Sequence, residues 1–169
     1  GGGLTGIQIL PDDEIKIINN EGNQLCEISA FNKDGKADLA ILGLKEIKEN
    51  SEIKKILFKK DETSLQALLQ LKKRNLNIEK SKSSLIFDKE TKAGEIIKLK
   101  SKDKCYCIFA APGEKMMVHE QNPSTELTVI VKRSVIKKDK EFSLIPDPIY
   151  DPSNEINIAR TTANSYQVK

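Results

Sequence analysis

Glu14-Ile-Lys-Ile-Ile-Asn-Asn-Glu-Gly-Asn-Gln-Leu-Cys-Glu-Ile-Ser-Ala-Phe31 sets two apolar runs on either side of a turn signal. Ile15, Ile17 and Ile18 are β-branched and favour a strand. Asn20-Glu-Gly-Asn23 supplies the residue types that tolerate a tight turn. In Gln24 to Phe31, a period of two puts Cys26, Ile28 and Ala30 on one face. The reading is a β-hairpin. Upstream, Ile7 and Ile9 run into Pro11-Asp12-Asp13 as another turn. Downstream, Lys33-Asp-Gly-Lys36 turns again and Ala37 to Leu44 carries apolar residues up to Gly43-Leu44.

The middle of the chain changes period. Thr63-Ser64 offers an N-cap, Leu65, Leu68, Leu69 and Leu71 recur at helical spacing, and Arg74-Asn75 ends the run, which predicts a helix over Thr63 to Asn75 covering an apolar sheet face. A weaker helix is expected within residues 45–60, where Ile47, Ile53, Ile56 and Leu57 have compatible spacing. The β signal then returns in Ser84–Phe87, Glu95–Leu99, Cys105–Ala111 and Glu126–Val131. Strands well in excess of helices imply an α+β fold, mainly antiparallel and barrel- or sandwich-like, with one or two helices in mid-chain.

Phe142-Ser-Leu-Ile-Pro146 reads as a last edge strand and Asp147-Pro-Ile-Tyr-Asp-Pro152 as an extended linker. Residues 1–145 are therefore expected to form one β-rich domain, with 146–169 a linker and the start of a following domain. The opening Gly-Gly-Gly lacks an initiator Met, and Leu4–Ile9 is echoed by Ala163–Val168, so neither end reads as a natural terminus.

With 169 residues, 31% charged and 38% apolar, the composition is that of an ordinary folded protein. No apolar run approaches the roughly 20 residues of a membrane span and no signal peptide is evident, so a cytoplasmic location is expected. The net charge of +3 comes from 28 basic and 25 acidic residues. Arginine, the residue of bidentate phosphate and base contacts, occurs only at Arg74, Arg133 and Arg160. Lysines dispersed among glutamates make a solvated surface, and nucleic acid and membranes are not expected partners. The Lys132-Arg133 cluster reads as a polar edge or loop.

Cys26, Cys105 and Cys107 are an odd number without a secretory signal and read as free thiols. Cys105 and Cys107 share a strand face while Tyr106 takes the other, which suits core packing, and no metal site is read from the spacing. A tight hairpin at Pro112-Gly113 would set position 106 opposite His119, on the tyrosine's face. A longer loop leaves that register open.

Three segments together resemble a family. Asp13 to Asn32, with its strand, Glu-Gly-x-Gln, acidic position three residues later and Ala-Phe-Asn, is similar to the opening of urea-carboxylase-associated domains. Gly2 to Ile7, and Asp147-Pro with Thr161 to Lys169, resemble an arrangement in which a divergent copy of that domain precedes a second copy and then a folate-dependent aminomethyltransferase module of the glycine-cleavage T-protein type. The resemblance implies an N-terminal accessory domain, C-terminal domains of the same polypeptide as partners, and tetrahydrofolate as cofactor of the parent enzyme but none in this domain. A homo-oligomer is left open. Gln24 matches the family's Gln and Glu27 its acidic position, where Asp is usual. The family's enzymes of the carboxyguanidine-deiminase kind carry a downstream His-Asp and Cys constellation, whereas the sole histidine here is His119, followed by Glu120. The implied role is non-catalytic, with Gln24, Glu27, His119 and Glu120 as candidate binding residues. The alternatives are a metal-dependent hydrolase of a guanidine- or urea-derived substrate, using the thiols and His119, and a plain interaction domain.

Overall fold

The computed structural model describes residues 3–46, 51–113 and 125–134, and the backbone of Asp147–Tyr150. Its elements run β1 (Gly3–Ile9), β2 (Glu14–Asn19), β3 (Cys26–Phe31), a 3-10 turn (Leu39–Leu42), α1 (Glu52–Leu57), α2 (Glu62–Lys73), β4 (Ser84–Phe87), β5 (Glu95–Lys100), β6 (Cys105–Ala111), β7 (Leu127–Lys132) and β8 (Asp147–Tyr150). A five-stranded sheet has the order β4-β3-β6-β1-β8 and a three-stranded sheet the order β5-β2-β7. Every described pairing is antiparallel. The fold is α+β and mainly antiparallel, as its strand spacing implies.

The larger sheet is the middle of three layers. Because strand side chains alternate, β6 divides its residues between two cores. Cys105, Cys107 and Phe109 join Ile7, Ile9, Cys26, Ile28 and Ala30 against Ile15, Ile17, Val129 and Val131 of the smaller sheet. Ile108 and Ala110 face the other way, where Leu4 and Phe31 meet Ile53, Ile56, Leu57, Ala67 and Leu71 of the helices. All six residues of β3 are buried because both of its faces are covered.

That double coverage explains why the expected hairpin does not form. β2 pairs with β5 and β7, while β3 pairs with β4 and β6, so the Asn20–Asn23 turn carries the chain from one sheet to the other. Asn23 N–H donates to the Thr91 carbonyl at 2.8 Å, and Asn19 Nδ2 donates to the Gln24 carbonyl at 2.9 Å. Gly22 sits at φ +78°, and a Cβ there would lie 2.6 Å from Ala93 N. The turn is thus pinned against the β4–β5 connection. The Pro112 hairpin fails for a related reason: β1 and β3 occupy both edges of β6, setting Tyr106 opposite Gln8 and Phe31.

The helices need two adjustments. The N-cap of α2 is Asp61, whose side chain accepts from Ser64 N at 2.7 Å, two residues before the expected cap. Its buried stripe is Ser64, Ala67 and Leu71, leaving Leu65 and Leu69 51% and 59% exposed. The weaker helix is α1, with Ile53, Ile56 and Leu57 buried as its spacing implied; Ile47 lies outside the described residues. So do the Phe142–Pro146 strand and residues 151–169, while Asp147–Tyr150 of the expected linker forms edge strand β8 on β1.

One glycine fixes how the helical layer meets the sheet. Asn32 closes the turn after β3 by accepting from Asp34 N and Lys36 N, both at 3.0 Å, and Gly35 in that turn has φ +73°. A Cβ on Gly35 would lie 1.9 Å from the Asn75 carbonyl oxygen, and Asn77 N–H donates to the Gly35 carbonyl at 2.8 Å. Gly35→Ala is expected to lower stability by about 2 kcal/mol, from left-handed strain plus displacement of the α2 exit. Chemical denaturation checks this, and an unchanged midpoint would contradict the close approach.

Candidate functional site

Glu27 lies on the helix-facing side of β3 and is buried. Its Oε1 accepts from Ser51 Oγ at 2.6 Å, and its Oε2 accepts from Glu52 N–H and, at 3.4 Å, Ile53 N–H. The first amides of a helix have no partner within it, and negative charge is favoured there. Glu27 therefore anchors α1 to the sheet. A glutamate reaches one bond further than the aspartate usual at the matching position of the family it resembles, which fits this use.

Gln24 precedes β3 and is also buried. Its Nε2 donates to the Leu25 and Pro112 carbonyls at 3.0 Å, and its Oε1 accepts from Thr125 Oγ1. It thus holds together the two ends of the segment that carries His119 and Glu120. Those two residues lie outside the described residues. Gln24 and Glu27 share no partner, so the structure does not unite them in one cluster. The bulge that could bring them to one face does occur, between Cys26 and Glu27 on the β4 side, but the side chains are engaged with different elements.

A buried ion pair joins the two sheets at the other end. Asp13 and Arg133 are 0% and 4% exposed and bonded directly through Oδ2 and Nη1. Asp13 also accepts from Leu10 N at 2.9 Å and Ser134 N at 3.1 Å, while Arg133 Nη1 donates to the Gln8 carbonyl at 3.0 Å. Sequence reasoning read Asp13 as a turn residue and Arg133 as part of a polar edge. The available signal was arginine's rarity: where lysine serves the surface, an arginine marks a site that needs a rigid fork of donors.

The three cysteines are free and buried. Cys105 Sγ lies 3.7 Å from Cys107 Sγ and 3.7 Å from Ser101 Oγ. The hydrogen bond with Cys105, then burial, raises the Cys107 thiol well above its ordinary value. The same hydrogen bond, from the other side, lowers Cys105. Burial, with a smaller contribution from the Glu27 charge, pushes Cys26 from 9.0 up to about 12. None of these is an activated nucleophile at neutral pH in the sense of an exposed thiolate. A thiol that keeps its proton to higher pH folded than unfolded stabilises the fold fully below pH 9 and loses that contribution as pH rises toward 12. Cys26→Ala is accordingly expected to flatten the decline in stability between those two values relative to the parent chain, measured by denaturation at each pH. Parallel profiles would contradict the shift.

Among the described residues, no group of three or more His, Cys, Asp or Glu side chains is placed to hold a metal ion. No helix among them is long and apolar enough to cross a membrane. The polar groups assembled so far serve internal joints, and their arrangement is that of a rigid scaffold.

Comparison with known proteins gives one relative. Trimethylamine-oxide aldolase of Ruegeria pomeroyi is 32% identical over 170 residues, an alignment that takes in 100% of this chain and 21% of that protein. The chain is similar, end to end, to a portion of a larger enzyme. It spans about a fifth of the length of the curated relative it matches. No family model matches the chain and no solved structure matches it, so the resemblance to urea-carboxylase-associated domains rests on its motifs alone.

Proposed function

We propose that this chain is an N-terminal, non-catalytic accessory domain of a folate-dependent, aminomethyltransferase-like enzyme of the glycine-cleavage T-protein type. The observation that carries this reading is the similarity of its full length to about a fifth of trimethylamine-oxide aldolase. Trimethylamine oxide carries single carbons on nitrogen, and aminomethyl transfer to tetrahydrofolate handles the same kind of unit. The commitment of Gln24, Glu27, Asp13 and Arg133 to joints between elements supports a scaffold in place of a catalytic centre. His119 and Glu120, on the segment whose ends Gln24 holds, are the residues of this domain that we assign to contact with ligand or with C-terminal domains of the same polypeptide. Tetrahydrofolate is assigned no residue of this chain.

The purified 169-residue chain is expected to release no aldehyde from trimethylamine oxide and to give no heat on titration with tetrahydrofolate. The complete polypeptide that contains it is expected to bind tetrahydrofolate. Turnover by the chain alone, or a complete polypeptide that does not bind tetrahydrofolate, would overturn the reading.

A further inference from the structure

Beyond these joints, one cleft on the helix-facing side of the larger sheet gathers donors that nothing in the fold uses. It has a volume of about 190 Å³ and is lined by Gln8, Asn32, Lys33, Arg74, Lys104 and Tyr106 among others. A comparable dry cavity of about 150 Å³ holds benzene, so the space suits a ligand of six to roughly ten heavy atoms. Gln8 and Tyr106 are cross-strand neighbours and form its floor. Three separate connections form its walls: the turn that carries Lys33, the α2 exit with Arg74, and the β5–β6 turn with Lys104.

The three cations reach the cleft because the fold forces those connections together. Gly35 packs directly on the Asn75 carbonyl, which sets the Lys33 turn beside Arg74. The Arg74 guanidinium lies 5.0 Å from the centroid of the Tyr106 ring, a stacking distance that fixes its position over the floor. Asn32 has its Oδ1 occupied by two backbone N–H groups, so its amide nitrogen is the atom left to donate. Lys33 and Lys104 make no ion pair among the described residues, and no described carboxylate lines the cleft. Asp103 is the neighbouring acid and its Oδ1 accepts from Lys104 N at 2.7 Å. Three positive groups around a concave, partly apolar wall focus a positive field and favour a compact anion.

We infer that this cleft binds a small organic oxyanion, a carboxylate or a phosphate ester, through Lys33, Lys104 and Arg74, with Gln8 and Asn32 donating to its oxygens and Tyr106 packing against its carbon skeleton. The site is independent of the accessory-domain reading and stands or falls on its own test.

The test titrates the 169-residue chain at low ionic strength with inorganic phosphate and, separately, succinate, following amide chemical shifts. Saturable shifts at residues 32–36 and 103–106 are expected with at least one probe, and which probe binds more tightly separates phosphate from carboxylate as the ligand class. Lys33→Ala combined with Lys104→Ala removes two exposed charges that support no described contact, so the fold should persist while the dissociation constant rises about tenfold or more, in keeping with loss of charge-assisted contacts. Raising the salt to about 0.5 M should weaken binding in the parent chain by screening. Lys100→Ala, which removes a cation paired with Asp12 elsewhere, should leave binding unchanged. Absence of saturable shifts with both probes, or an affinity insensitive to the double substitution, would overturn the assignment.

Discussion

Arg133→Met is expected to lower the free energy of unfolding by about 3–5 kcal/mol, the cost of leaving a buried charge without its partner. Asp13 is fully buried, and its other contacts, Leu10 N and Ser134 N, are neutral donors that cannot replace a cation. Arg133 also donates to the Gln8 carbonyl, so its loss opens the junction between β1, the β1–β2 turn and the end of β7. With domains of this size stable by about 5–15 kcal/mol, the single substitution removes a large share of the margin. The companion experiment replaces both partners, Asp13→Leu with Arg133→Met. Hydrophobic replacement of a buried pair is often neutral or stabilising, so the double variant should recover most of the loss. Denaturation of the three chains decides it: a single variant within about 1 kcal/mol of the parent would mean that water reaches the pair.

The same pair shows where sequence reading reaches and where it stops. Ser84–Phe87, Glu95–Lys100, Cys105–Ala111 and Leu127–Lys132 were legible to within a residue, because a strand declares itself through local alternation and β-branched content. Partnership was not legible. β2 and β3 are separated by a turn that any hairpin could use, yet they enter different sheets, because what decides the matter is the apolar character of both faces of β3 and the loop around Thr91 that packs on Gly22. The α2 stripe was misjudged for a related reason. Leu65 and Leu69 look like core residues by hydropathy, whereas Ser64 and Ala67 are buried because the helix lies close to its neighbours and only small side chains fit there. Gln24 and Glu27 were singled out through a family resemblance, and both are buried and fully engaged, but their partners at Pro112, Thr125 and Ser51 are 24 to 101 residues away in sequence. The cations of the cleft come from three such distant segments, and no spacing rule could have grouped them.

Glu27 provides the second large effect, and it separates a joint from a ligand site. Glu27→Ala is expected to destabilise the fold by about 3 kcal/mol, since hydrogen bonds to a charged acceptor contribute about 1.5–3 kcal/mol and the α1 amides would be left buried without one. Glu27→Gln keeps an acceptor oxygen for the Glu52 amide but loses the charge that favours a helix N-terminus, and is expected to cost about 1 kcal/mol. The two variants share a second readout. The Glu27 charge contributes to the raised value of Cys26, so both should bring that thiol below about 12, leaving burial as the main cause of its shift. A residue that merely waited for a ligand would behave otherwise, because its removal would relieve an unpaired buried charge and raise stability. Denaturation and thiol titration of the two variants therefore tell the roles apart, and a stability gain in Glu27→Ala would turn the buried acid of β3 from an anchor of α1 into a binding group.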